Sequence, residues 1–274
     1  DFCMRVAKKV RNALPNLKII HYVAPSVWAW RPERAAKMSK YVDHVLALLP
    51  FEPPYMEAEG MTCDFVGHPA VSSPHVSKKA QEKFKKKYNL HNGPIITVLP
   101  GSRIGEIKRM CPIFNKVLNN IEKLYPDSQF ILPVASSVEK DVINAVKSWN
   151  IKPLLLLNEG KDLKELEHDK FITYSISSAA LATSGTVSLE LAAKKCPMIV
   201  AYKANWITTK MVKKLAKIDT ANLINIITDT KVIPEHLFEN CTVENITESL
   251  RSLLNNDNNQ IKAMEETMIR LGAD

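Results

Sequence analysis

No run of apolar residues reaches the roughly 18 that a membrane-spanning helix needs. The opening stretch DFCMRVAKKV has no apolar segment of the kind a secretion signal carries. The five cysteines, Cys3, Cys63, Cys111, Cys196 and Cys241, are odd in number, scattered, and form no CxxC pair. That argues against a disulfide framework and a zinc site, and points to a reduced, cytosolic compartment. Nothing has the form of a recognised nucleic-acid module. The phosphate-loop pattern GxxxxGKS or GxxxxGKT is also missing, so ATP hydrolysis is not expected.

What is present is ordinary globular composition: 274 residues, 46% hydrophobic and 24% charged. That is length enough for two domains. Lys and Arg outnumber Asp and Glu by 37 to 29, a formal charge of +8. An anionic membrane surface or an anionic substrate would suit this balance, but so would lysine-rich solvated helix faces. The chain starts at Asp1 and runs straight into a helical pattern, Val6, Val10 and Leu14, so it is expected to be part of a longer protein.

Helix-like and strand-like stretches alternate. Helix 1–13 is followed by a buried strand at 17–24, a basic helix at 32–40, a strand at 42–49, a helix at 51–60 and a short strand at 63–66. The Pro- and Ser-rich PAVSSPHVS, 69–77, marks a domain boundary. A second series has strands at 94–99, 128–133, 153–157, 178–183 and 197–202. Helices are expected at 77–89, 104–125, 138–149, near 161–167, 187–195 and 206–217, with an amphipathic helical tail over 243–271. Such alternation predicts parallel βαβ units. The expected class is α/β, with two facing Rossmann-type doubly wound domains, the first incomplete.

Two strand ends carry chemistry. At Leu99-Pro100-Gly101-Ser102-Arg103, Gly101 lets backbone approach a ligand, Ser102 offers a hydroxyl, and the helix start offers N–H groups and a positive dipole end. Arg103 can grip phosphate with two donors. The plain alternative is a capped helix, with Ser102 as N-cap and Glu106 close behind. At Thr183-Ser184-Gly185-Thr186, a second strand enters a small hydroxyl-rich turn, and Glu190 follows one helical turn later. There a carboxylate can accept hydrogen bonds from a ribose diol while the turn holds phosphate. Two such turns in one domain favour a nucleotide diphosphate site over either alone. Further upstream, PSVWAWRPER places Trp28 and Trp30 beside Arg31 and Arg34. An extended backbone would put both rings on one face, as a membrane-interface patch or sugar subsite, against the alternative of a packed loop. His68, in Gly67-His68-Pro69, reads as a hinge residue with local hydrogen bonds, and His21 as a core histidine.

HYVAPSVWAWR, LPFE, FVGHP, LPGSRIGEI, ATSGTVSLELA with KCPMIVAYK, and the closing IRLGAD together resemble the lipid-A-disaccharide synthase family. The likeness runs in order through nearly the whole chain. It implies a GT-B glycosyltransferase, inverting and metal-independent, with no cofactor. Such an enzyme joins UDP-2,3-diacylglucosamine to 2,3-diacylglucosamine 1-phosphate (lipid X) at the cytoplasmic face of the Gram-negative inner membrane. No nucleic-acid partner is implied, and a homodimer stays open. On this resemblance residues 1–70 are half of an acceptor- and membrane-side domain, 71–242 bind the UDP-sugar, and 243–274 pack back on the first domain or a partner subunit. Asp1-Phe2 matches the end of the family's Asp-Phe motif, which makes Asp1 the candidate general base and leaves charge stabilisation to Arg103. Substrate binding then falls to Gly101, Ser102, Ser184, Gly185, Thr186 and Glu190, and elsewhere to Trp28, Trp30, Arg31 and His68. Asn225 joins them by its place in Leu223-Ile224-Asn225, where the family has Leu-Pro-Asn. Two alternatives remain: a non-catalytic UDP- or membrane-binding remnant, and another UDP-sugar transferase of the same fold.

Overall fold

A computed structural model describes residues 2–183, 185–204, 219–255 and 259–273. The chain divides into two compact units, one made of 1–72, 207–219 and 269–274, the other of 73–206 and 220–268. The division at 72/73 falls inside the Pro- and Ser-rich stretch.

The first unit is built on a three-stranded parallel sheet, β1 (Ile20–Tyr22), β2 (His44–Ala47) and β3 (Thr62–Phe65), in the order β1-β2-β3. Helices α1 (Phe2–Ala13), α2 (Glu33–Met38) and α3 (Pro53–Glu57) connect and flank it. Its core gathers Val27, Met38, Val45, Ala47 and Met56. Arg11 of α1 pairs with Asp43 at 2.5 Å, and the same carboxylate accepts the Ile19 N–H at 2.8 Å. One acid therefore ties α1 to the mouths of β1 and β2. These bonds, the backbone one foremost, hold the Asp43 carboxyl below its ordinary range. The strand expected at 17–24 is shorter and not buried: it spans Ile20–Tyr22, with Ile20 63% and Tyr22 54% exposed. It is an edge strand, paired with β2 on one side, so its apolar side chains have a neighbour strand's residues on one flank alone. His21 on it is half-buried, and burial lowers its pKa.

The second unit holds a six-stranded, all-parallel sheet. Its strands are β4 (Ile95–Leu99), β5 (Gln129–Pro133), β6 (Leu154–Leu156), β7 (Ala179–Ala182), β8 (Met198–Tyr202) and β9 (Glu235–Leu237), in the order β6-β5-β4-β7-β8-β9. Counted within the unit that is 3-2-1-4-5-6, the doubly wound order. All five residues of β4 and all four of β7 are buried, as expected of central parallel strands. The helices are α4 (Lys78–Lys87), α5 (Ile104–Leu124), α6 (Glu139–Val146), α7 (Leu163–Ile176), α8 (Val187–Ala193), α9 (Leu223–Thr228), α10 (Val243–Leu254) and α11 (Gln260–Arg270). Along α5, Ile107, Met110, Phe114, Val117 and Ile121 recur at helical spacing and are buried. They pack with Ile246, Leu250 and Leu253 of α10.

Three expectations change here. The helix expected near 161–167 is α7, which runs to Ile176 from an Asp162 cap that accepts the Glu165 N–H at 2.7 Å. Phe171, Ile172, Thr173 and Tyr174 are all buried, so no polar face interrupts them and no 3.6 period marks the helix. Residues 243–254 belong to the stretch 243–274 expected to pack on the first domain or a partner subunit; they pack on α5, β7 and β8 of the second unit, because α10's apolar stripe completes that core. The short α9 and the polar edge strand β9 are additional elements. The helix expected at 206–217 lies outside the described residues. Among the described residues no helix is long and apolar enough to cross a membrane.

Gln260, only 1% exposed at the start of α11, pairs both ways with β8: its amide donates to the Met198 carbonyl at 3.0 Å and accepts the Met198 N–H at 2.8 Å. Gln260→Leu leaves both backbone groups buried and unpaired, and is expected to cost about 1–3 kcal/mol in urea unfolding. An unchanged midpoint would show that water or a local shift repairs the loss. Because the folded Asp43 pKa lies below its unfolded value, its contribution is complete above about pH 4 and fades as pH falls through the folded value. Asp43→Asn is expected to lower first-unit stability at pH 7 and to flatten its acid dependence, read by hydrogen exchange across pH 2–7.

A candidate nucleotide site at the sheet's switch point

The sheet order reverses between β4 and β7, which pair in register from Ile96↔Ala179 to Leu99↔Ala182. The connections leaving the two strands run to opposite sides, and a crevice opens outside their carboxyl ends. It measures about 750 Å³. Gly101, Ser102 and Arg103 from the β4 turn line it, together with Gly185, Thr186 and Glu190 from the β7 turn. The two turns that the sequence singles out thus enter one cavity. Ser184 and Asp1 lie outside the described residues.

Glu106 organises the first turn. The residue is 7% exposed, and its carboxylate accepts the Ser102 N–H at 2.9 Å and the Arg103 N–H at 3.3 Å. Arg103 Nη1 donates to its other oxygen at 2.8 Å. The expectation of a Ser102 cap is therefore corrected: the residue at the cap position is Arg103, and the acid one turn on does the capping. Two N–H groups that seemed available to phosphate are already satisfied. Arg103 has an 81% exposed side chain and, among the described residues, keeps Nε and Nη2 for a ligand. Gly101 has φ +115°, and a Cβ there would lie 2.4 Å from Glu106 Oε2. Only glycine fits between the strand end and the capping acid.

The β7 turn has its own open groups. The Thr183 hydroxyl is buried and has no hydrogen-bond partner among the described residues, and the residue lines the crevice. Glu190 pairs with Lys170 of α7 at 3.0 Å. Tyr174, one turn beyond Lys170, also lines the crevice; burial and then the Glu190 charge push its phenol pKa well up. Lys170 and Tyr174 are functional candidates that pattern reading missed. Their four-residue spacing is a helical signal, but it lies in the segment of α7 where periodicity is lost.

The remaining candidates are elsewhere. Asn225 does not line this crevice. It is 2% exposed, its amide donates to the Ile233 carbonyl at 2.9 Å, and its oxygen accepts the Ile233 N–H at 2.9 Å. Its polar atoms join α9 to the approach to β9, apart from the residues that line the crevice.

In the first unit, Val27, Trp28 and Ala29 form a turn rather than an extended run, which removes the shared face expected of Trp28 and Trp30. Trp28 Nε1 donates to the buried Glu52 at 3.2 Å, and its ring meets Phe51 edge-on at 5.1 Å. The WAWR and LPFE motifs thus meet, and Trp28 is an anchored packing residue. Arg31 stacks over the Trp30 ring at 4.4 Å. His68 Nδ1 accepts the Ala70 N–H at 3.1 Å, the local bond expected of it, and burial lowers its pKa. The neutral ring then carries its proton on Nε2. His68, Tyr22 and Phe65 line a cavity of about 540 Å³ at the carboxyl ends of β1 and β3. The His68 N–H donates to the Leu271 carbonyl at 3.1 Å, so FVGHP and LGAD touch.

The model of the LpxB family, lipid-A-disaccharide synthetase, matches residues 1–272. The lipid-A-disaccharide synthase of Ruegeria pomeroyi is 44% identical over 272 residues, covering 99% of this chain and 68% of that protein. That of Rhodospirillum centenum is 40% identical over 256 residues, 93% and 62% respectively. That of Rickettsia prowazekii is 39% identical over 274 residues, 99% and 70%. The chain spans 62% to 70% of the length of these relatives. Among solved structures, UDP-GlcNAc 2-epimerase from Neisseria meningitidis bound to UDP-GlcNAc superposes with a TM-score of 0.62 at 13% identity, over 98% of this chain and 70% of that one. E. coli ADP-heptose lps heptosyltransferase II does so with 0.52 at 11%, over 93% and 81%. At such identities the likeness concerns the fold alone. With its parallel α/β units of GT-B-like class and a family match over nearly its whole length, the chain belongs to the lipid-A-disaccharide synthase family, glycosyltransferases of lipid A biosynthesis.

Proposed function

We propose that the second unit binds the UDP of UDP-2,3-diacylglucosamine, and that the protein transfers the sugar to lipid X with inversion, giving lipid A disaccharide 1-phosphate and UDP. The observation that carries this is the entry of both small turns, with Arg103 and Glu190, into one crevice at the switch point of the sheet. Its volume suits a nucleotide. The diphosphate sits against Gly101 and the Arg103 guanidinium. The Thr183 hydroxyl and the Gly185-Thr186 turn face it from the other strand. Glu190 accepts the ribose diol.

As the anomeric carbon's bond to the diphosphate oxygen breaks, its electron pair leaves on UDP. The growing charge is met by a fixed guanidinium, already oriented by Glu106, with little reorganisation. On the opposite face of the sugar the acceptor's 6-hydroxyl oxygen bonds to that carbon, and a carboxylate takes its proton. Asp1 is the proposed carboxylate. No metal ion has a part in this scheme. The first unit supplies the acceptor side. Trp30 and Arg31 face the cytoplasmic leaflet of the inner membrane as a stacked aromatic and cation, while His68 Nε2 offers a donor to the acceptor. The net charge of +8 suits anionic lipid and diphosphate alike. Pairing of two copies is compatible with all of this.

Arg103→Ala is expected to weaken UDP binding by about 2 kcal/mol, roughly 30-fold, in calorimetry. Gly101→Ala is expected to destabilise the second unit by about 1–3 kcal/mol, because the strained φ and the contact with Glu106 cannot both be relieved, and to abolish UDP binding. Incubation with purified donor and lipid X is expected to yield the disaccharide and UDP. UDP binding without disaccharide would leave a non-catalytic binder, and absence of UDP binding would sink the proposal altogether.

A further inference from the structure

We infer that Lys170 is a positioning residue for Glu190, fixing the carboxylate through one oxygen so that the other faces the ribose diol. This rests on the proposed UDP reading of the crevice. Lys170 and Glu190 come from different helices, α7 and α8, and both line the cavity. Nζ lies 3.0 Å from Oε2, and the side chains are only 27% and 32% exposed, so this is not a loose surface pair. A pair this enclosed is screened less by salt than an exposed one.

The need for such a partner follows from charge. A ribose-binding carboxylate sits a few ångströms from a diphosphate and is repelled by it. An ammonium bonded to that carboxylate offsets the repulsion. Of the other two acids that line the crevice, Glu106 and Glu167, the first is matched in the same way by Arg103 at 2.8 Å. Tyr174 also lines the crevice; burial, and then the Glu190 charge, keep its phenol protonated. Lys170 and Tyr174 therefore present one cationic and one neutral group to Glu190 from successive turns of α7.

The test compares UDP with 2′-deoxy-UDP by calorimetry, in the wild type and in Lys170→Met. Loss of one hydroxyl bonded to a carboxylate is expected to make the wild type prefer UDP by about tenfold. In Lys170→Met that preference is expected to fall to within about twofold, and Lys170→Arg is expected to restore part of it. Lys170→Gln gives the same comparison should the methionine variant fail to fold. Equal weakening of both nucleotides with the preference intact would mark a lysine that grips diphosphate directly and would overturn the inference, as would no change in either. Wild-type protein that binds neither nucleotide overturns the UDP reading and this inference together. Wild-type protein that binds both without preference overturns the ribose role of Glu190, and with it that of Lys170, while leaving diphosphate binding standing.

Discussion

The reversal of strand order between β4 and β7 is the constraint on which the site depends. In an all-parallel sheet every strand ends at the same edge, and each connection must return over one face or the other. Where neighbouring connections depart to opposite faces, nothing fills the space above the strand ends. Here that happens once, in the order β6-β5-β4-β7-β8-β9, and the two strands concerned are wholly buried and paired in register. The crevice is therefore set by the buried, paired strands at the centre of the unit.

Glu106 shows how much of the site is spent on shaping it. Its carboxylate takes two backbone N–H groups and one guanidinium nitrogen, and it stands where a side chain on residue 101 would otherwise go. The same acid that stabilises the start of α5 thus removes donors from a ligand and orients Arg103 toward one. The first turn works through the guanidinium more than through the helix dipole. On the second turn, α8 has only seven residues, so side chains and small backbone count for more there than a macrodipole. Two of the three acids that line the crevice, Glu106 and Glu190, are each held by a cation before any anion arrives.

Much of this was legible in the sequence because it depends on local patterns. Alternating apolar runs and amphipathic stretches mark parallel βαβ units, and Gly101 stands at a strand end where a side chain would run into Glu106. The family likeness rests on motifs that the fold brings together in pairs: WAWR with LPFE through Trp28 and Glu52, and FVGHP with LGAD through His68 and Leu271. The parts that were not legible depend on tertiary surroundings. α7 lost its period because four successive residues are buried. Lys170 became visible only when α7 was laid against α8. Asn225 carries a family-like position, yet the geometry spends its amide on Ile233. Ser102 has the residue type of a cap, and Glu106 won that place because a longer acid reaches two N–H groups at once.

A crystal structure of the protein with UDP tests the central claim most directly. The expected density places the diphosphate between the Gly101–Arg103 turn and Thr183–Thr186, with the ribose hydroxyls on Glu190. UDP bound anywhere else in the second unit, or with its ribose turned away from Glu190 and its phosphates out of reach of Arg103, would contradict it.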